Sequence, residues 1–360
     1  MHAPEVALGR PRQIGLHGTC TETTLPVDLA GLDVQIQLSN AATGLRPDER
    51  AVTTVNGEVT YDGLVIATGA RPIGLPGEGE QLVLRTVDDA RLLRDRLVPG
   101  ARIVVIGASW IGAEVVTAAM AAGCHVTCLE LAPGPAVHVF GPEVAGRFMP
   151  WWGGVDLRCG TSVARVEYGG VLLQDGTLVP ADTVVTGIGV QPETAWLEGS
   201  GLELDRGVVV DERLRAVPGI VAVGDVAARW SPRWNRRLRI THWDDASAGP
   251  AVAAASLLAE GDNGPVFDPV PYFWSDQFGH KLQYLGQLGP DDMPEFHEPA
   301  DGRGWSVAWF DAERRLTAML AVDRPRDIAQ ARRLFAADSR SVMSTSLPTS
   351  LSGASAAPSH

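Results

Sequence analysis

The clearest change in hydrophobic pattern along this chain falls between residues 102 and 130. An unbroken β-branched run, residues 103–106, stops at Gly107. Apolar residues then recur at helical spacing from about Ile111, and a second β-rich run, HVTCL, ends on the acid Glu130. The order predicted is strand, glycine turn, helix, strand, acid. Elsewhere the period is mostly two. VQIQL (34–38) reads as an alternating strand, AVTTV and VTYDG as a hairpin, and LVIATGA (64–70) as a buried strand ending on glycine. PIGLPGEG (72–79) has the composition of a linker, and its Gly77-x-Gly79 has neither a preceding strand nor a third glycine. VDDARLLRDRL (87–97) predicts a helix, with Asp88 and Asp89 suited to its N-terminus. Strands recur through 155–168, 170–174, 183–189 and 219–225. An Arg/Trp-rich loop and a helix over about 246–260 follow. From Pro271 the chain is again β-rich, closing on a helix over 328–337.

The turn at 107–112 is the best candidate for chemistry. In a dinucleotide site the first glycine makes the turn, and the last lets helix pack on strand. The pyrophosphate then lies against the N–H groups of the helix N-terminus. Gly107, Ser109, Gly112 and Glu130 fit these roles, with serine standing where the middle glycine is usual. Serine is small, and its hydroxyl can bond a phosphate oxygen. A carboxylate at Glu130 pairs with the adenosine ribose and repels a 2′-phosphate, which favours NADH over NADPH. Three further segments each end a strand on a turn: YDGLVIATGARP with Ala67-Thr68-Gly69, GIGVQPETAWLEGSGL with Gly187 and Gly189, and IVAVGDVA with Gly224 and Asp225. An aspartate at the carboxyl end of a sheet strand is placed to bond a ribityl hydroxyl. Each of these alone is equally an ordinary strand end.

Composition narrows the class. With 360 residues, 45% of them hydrophobic, the chain can bury two or three cores. A net charge of -13 argues against nucleic acid as a partner. The sequence has no apolar run of membrane-spanning length, and its start lacks the form of a signal peptide, so a cytoplasmic location is expected. Cys20, Cys124, Cys128 and Cys159 form no C-x-x-C pair, which leaves no dithiol relay to propose.

Taken together with THWDDA (241–246) and PYFWSDQFGHKLQYLG (271–286), these segments resemble the FAD-dependent, NADH-using ferredoxin reductases of bacterial oxygenase systems, the rhodocoxin and putidaredoxin reductase type. The resemblance runs from about Val34 to Asp338. It implies an α/β fold with two interleaved Rossmann-like dinucleotide-binding domains, the first lacking its opening βαβ, and a C-terminal α+β domain. The expected layout is a first FAD part at 1–98, an NADH-binding domain at 99–216, a second FAD part at 217–267, a C-terminal domain at 268–338 and a disordered tail at 339–360. Electrons would pass from NADH through FAD to a small acidic iron–sulfur ferredoxin. Carried over by position, Gly107, Ser109, Gly112 and Glu130 would hold NADH, and Gly187, Gly189 and Pro192 would border its nicotinamide end. Ala67, Thr68, Gly69, Gly224 and Asp225 would touch FAD. Trp243 and Trp274 would lie beside the isoalloxazine ring as the catalytic pair, while His242 is expected to be structural.

The family pattern also opens with a strand, a G-x-G-x-x-G turn and a helix that hold the FAD pyrophosphate. Gly15 and Gly18 have the wrong spacing for it, and the one lysine is Lys281. The chain is therefore expected to be N-terminally incomplete, with weakened FAD binding and an unpaired edge on the central sheet. The rival readings are a reductase of the same fold serving oxygen or a quinone, and a catalytically impaired NADH-binding remnant. RWSPRWNRRLR, with Arg229, Arg233, Arg236, Arg237 and Arg239, is a candidate docking patch for the ferredoxin, its local charge opposing that of the whole chain.

Overall fold

The computed structural model describes residues 31–259, 261–299 and 302–338, which fall into two compact units divided after Asp268. Gly15, Gly18, Cys20 and the expected tail lie outside the described residues.

The first unit holds two β-structures that share the chain in alternation. One is a parallel sheet in the order Thr183–Thr186, Arg102–Ile106, His125–Leu129, Asp156–Arg158. The helix Trp110–Ala121 follows the first glycine turn and buries Gly112, Ala113, Val115, Val116, Ala118 and Ala119. Small residues let it lie close to the sheet. An antiparallel sheet of Val163–Glu167, Gly170–Leu173 and Leu178–Pro180 adds Val166, Val171 and Val179 to the core around Val104, Ile106 and Leu129. The glycines of the 72–79 segment have a steric cause. A Cβ on Gly77 would stand 1.9 Å from the Val166 carbonyl oxygen, and one on Gly79 would stand 2.2 Å from that of Glu167. These glycines serve backbone packing.

The second structure joins residues far apart in sequence. Leu64–Ile66 pairs in parallel with Ile220–Ala222, which pairs with Arg215–Val217. Val208–Val210 pairs in parallel with Ala227–Ser231. Ile66, Leu197, Leu202, Val208, Val210, Ile220 and Ala253 share one core. Leu197, Leu202, Val208, Val210 and Leu214 thus pack with this structure. Among the described residues Leu64–Ile66 is the edge of its sheet, and Val65 is 44% exposed.

Three local expectations are corrected. Residues 34–38 form no strand: Val34, Ile36 and Leu38 are exposed, and no described strand lies beside them to take their backbone hydrogen bonds. Ala42–Arg46 pairs instead with Ala51–Thr54, which continues into the expected hairpin with Gly57–Thr60. The segment read as an Arg/Trp-rich loop is a hairpin of Ala227–Ser231 and Arg236–Leu238, turning at Asn235 with φ 47°. The next helix is Trp243–Leu258, beginning three residues before the expected Ala246 and continuing through Gly249 and Pro250. Gly249 is buried, and a Cβ there would stand 3.7 Å from the Phe267 ring, an ordinary contact.

The second unit is a five-stranded antiparallel sheet in the order Tyr272–Gln277, His280–Gly286, Leu316–Val322, Trp305–Phe310, Met293–His297. The helix Pro325–Asp338 buries Ile328, Ala331 and Phe335.

Candidate functional site

The phosphate turn is built from sterics. Gly107 has φ 100°, a conformation L side chains avoid, and a Cβ there would meet the Gly187 carbonyl oxygen at 2.6 Å. A Cβ on Gly112 would stand 1.8 Å from the Gly107 carbonyl oxygen. Ser109 is the N-cap of the following helix, and its side chain makes no capping hydrogen bond. Glu130 is buried, and its carboxylate accepts the backbone N–H of Ala108 at 2.6 Å and of Ala132 at 2.8 Å. The four sequence-selected residues and Gly187 therefore converge on one helix N-terminus. A helix opening with close-packed glycines beside a buried carboxylate fits a dinucleotide.

The second group gathers around Asp225. It follows the Ile220–Ala222 strand, is 8% exposed, and accepts the guanidinium of Arg85 at 2.8 Å. The same guanidinium nitrogen lies 3.6 Å from where a Cβ on Gly69 would be. Gly69 thus lies at the same corner as Asp225, with φ 70° at both Gly69 and Gly224, and Ala67 and Thr68 precede it in the chain. Arg85 was missed in the sequence. Thr86 begins a capping box with Asp89, and this legible signal hides the role of its neighbour. A buried carboxylate, a cation and two open turns fit the ribityl and phosphate chemistry of a flavin nucleotide.

A short antiparallel ribbon joins the two groups. Ala70–Pro72 pairs with Val190–Pro192. Glu193 N–H donates to the Gly69 carbonyl at 3.0 Å, and the Thr68 hydroxyl donates to the Glu193 carbonyl at 2.9 Å. Gly69, just before one strand, and Pro192, on the other, are expected at opposite cofactors and meet at this ribbon.

Trp243 opens its helix and is 39% exposed, with His242 as the N-cap. Trp274 lies in the second unit, half-buried and stacked on Tyr272 with centroids 5.8 Å apart. Arg229 is corrected as a docking residue. It is 2% exposed, pairs with Asp245 at 3.1 Å and Asp268 at 3.4 Å, and sits 5.2 Å from the Phe267 ring centroid. The same pattern that reads as a basic surface patch points alternate side chains of a strand inward. Arg233 and Arg237 are exposed, Arg236 and Arg239 half-buried.

Comparison with known proteins accords with this geometry. Residues 8–249 match the pyridine nucleotide-disulphide oxidoreductase family model, and residues 272–347 match a reductase C-terminal domain. The chain belongs to the pyridine nucleotide-disulphide oxidoreductase family. Family members of the ferredoxin–NAD(+) reductase type use FAD and NADH. The chain is 37% identical to the ferredoxin–NAD(+) reductase component of the anthranilate 1,2-dioxygenase system of Burkholderia cepacia, over 77% of this chain and 70% of that one. The crystal structure of Fdr9 is 53% identical, covers 91% of this chain and 84% of its own, and superposes with a TM-score of 0.86. The covalent putidaredoxin reductase–putidaredoxin complex gives a TM-score of 0.82 at 30% identity, covering 91% of this chain and 83% of that one. The family and the mixed α/β fold accord with what the motifs implied. Among the described residues no helix is long and apolar enough to cross a membrane.

Proposed function

We propose that this protein takes electrons from NADH and delivers them, through FAD, to a small acidic iron–sulfur ferredoxin of an oxygenase system. The observation that carries this reading is the ribbon of Ala70–Pro72 and Val190–Pro192, because it fastens the flavin-side turn to the nicotinamide-side turn. When bound, FAD accepts the two electrons of a hydride from NADH and releases them singly. The protein's part is positional. The helix N-terminus at Trp110 takes the pyrophosphate of NADH, Glu130 takes the adenosine ribose, and Gly187, Gly189 and Pro192 border the nicotinamide. Asp225, with Arg85 and the 67–69 turn, orients the ribityl chain and phosphates of FAD. Trp243, at the start of its helix, shields the ring from water. Hydride transfer of this kind needs no protein acid or base, so His242, at the N-cap of the helix, is assigned no proton-transfer role.

The relatives' names support the acceptor, since the anthranilate system component is a ferredoxin–NAD(+) reductase. The docking surface is the arginine-bearing hairpin after Asp225, where Arg233 and Arg237 are exposed and Arg236 and Arg239 half-buried beside them. Arginine is favoured at binding hot spots, and a local basic patch attracts an acidic partner whatever the total charge.

The test is anaerobic addition of NADH to the FAD-loaded chain, followed by cytochrome reduction with and without ferredoxin. The flavin colour should bleach, and cytochrome should be reduced only when ferredoxin is present. Equal turnover with oxygen or a quinone and none through ferredoxin would overturn the acceptor.

A further inference from the structure

The ribbon between the two cofactor corners is thin. Pro72 and Pro192 lie in its strands and donate no backbone hydrogen bond, and a two-stranded ribbon has little stability of its own. Just beyond the strands, Ile73 N–H donates to the Gly189 carbonyl and Glu193 N–H to the Gly69 carbonyl, each at 3.0 Å. Side chains add what the backbone lacks. Arg71 stands opposite Gln191, and residue 193, two further on, shares that face. The Arg71 guanidinium donates to the Gln191 side-chain oxygen at 3.1 Å and to the Glu193 carboxylate, also at 3.1 Å. One planar fork therefore spans two acceptors on the opposite strand, which fixes register in a way one point contact cannot.

We propose that Arg71 is a positioning residue for hydride transfer. By gripping Gln191 and Glu193 it holds the nicotinamide-side turn at a set offset from the flavin-side turn. This deepens the functional reading above and rests on it. The side chains of Arg71 and Glu193 are 48% and 36% exposed, so the pair adds little to global stability. Transfer rates respond far more steeply, because a displacement of about 1 Å can cost on the order of a hundredfold. The expected signature is a loss in rate with binding and stability preserved.

The experiment uses the full chain loaded with FAD, with Arg71→Ala and Glu193→Gln. Stopped-flow bleaching gives the limiting rate of flavin reduction at saturating NADH. Fluorescence titration gives the NADH dissociation constant, thermal unfolding gives stability, and hydrogen exchange reports the amides of 67–73 and 187–193. Arg71→Ala should slow the limiting rate about tenfold, leave NADH affinity and the thermal midpoint unchanged, and speed exchange at 187–193. Glu193→Gln should keep most of the rate, since its amide oxygen still accepts from the guanidinium. An unchanged limiting rate in Arg71→Ala, or a loss accounted for by weaker NADH binding or a lower midpoint, would overturn the proposal. If NADH fails to bleach even the unaltered protein, the functional reading falls instead. Exchange at 187–193 then still decides whether Arg71 holds the ribbon, and unchanged exchange would overturn that too.

Discussion

The Glu130 carboxylate accepts the backbone N–H of Ala108 at 2.6 Å, so the acid at the end of one strand braces the phosphate turn of its neighbour. Its second oxygen braces Ala132 at 2.8 Å. The residue proposed to take the ribose therefore also holds the turn proposed to take the pyrophosphate.

Two effects should follow from Glu130→Ala. NADH binding should weaken by about tenfold or more, as a buried charge-assisted hydrogen bond is lost. The preference for NADH over NADPH should narrow as well, because the charge that repels a 2′-phosphate is gone. Titration of the unaltered protein and the variant with each nucleotide checks both. Equal affinity of the unaltered protein for the two would remove Glu130 as the selector.

Gly112→Ala addresses the turn itself. The new methyl would stand 1.8 Å from the Gly107 carbonyl oxygen, with no flexible side chain to give way. The helix must move off the strand, at a cost of about 1–3 kcal/mol in stability. NADH affinity should fall with it. Gly100→Ala is the control for strain without crowding, since it has φ 81° but nothing within 4 Å of the added carbon. It should lower the thermal midpoint slightly and leave NADH binding alone.

The parts of this fold that were legible in sequence are those where one local pattern has one reading. The 102–130 strand–turn–helix–strand is such a case, because close packing at Gly107 and Gly112 admits no other residues. So is the helix at Val87–Arg96, with its Thr86/Asp89 capping box. What failed depends on distant partners. Residues 34–38 alternate like a strand but have no described neighbour to pair with, whereas Ala42–Arg46, a weak strand by composition, is held by Ala51–Thr54. The arginines at 229–239 look alike in the sequence, yet Arg229 is buried between two carboxylates while Arg233 is exposed. Arg71 and Arg85 acquire their roles only when segments more than a hundred residues apart meet.

That buried cluster carries a pH dependence. Burial pushes the Asp245 carboxyl above its ordinary value, Arg229 partly opposes this, and Asp244 and Asp225 add to it. A raised folded-state value means the folded protein holds the proton more tightly than the unfolded chain. The contribution to stability is thus full below the unfolded value of about 4 and is lost as pH rises through the folded one. Asp245→Asn keeps an oxygen for Arg229 and has no such loss. Its thermal midpoint relative to the unaltered protein should therefore rise from pH 4 toward pH 8. Arg229→Ala should do the opposite at neutral pH, leaving buried charge uncompensated at a cost of about 3–5 kcal/mol. Urea unfolding of both variants across pH checks the signs, and a flat difference for Asp245→Asn would exclude the buried-charge account.

Docking is tested by charge reversal on the face that the hairpin leaves open. Arg233 and Arg237 are exposed, and Arg237 pairs at the surface with Glu203 at 3.3 Å. Such a pair is weak and easily exchanged for a partner's carboxylate. Arg233→Glu with Arg236→Glu and Arg237→Glu should slow ferredoxin reduction by about tenfold, chiefly through association, because steering depends on local potential. Raised salt should slow the unaltered protein in the same way, since exposed charges are screened within about 10 Å at 0.1 M. Arg229 must stay untouched, as its loss would destabilise the protein through the buried carboxylates it pairs and mimic a docking defect. NADH-driven reduction of ferricyanide by the triple variant should match that of the unaltered protein, which separates docking from damage to the cofactor sites. A ferredoxin-dependent rate indifferent to both salt and charge reversal would move the docking surface to another face.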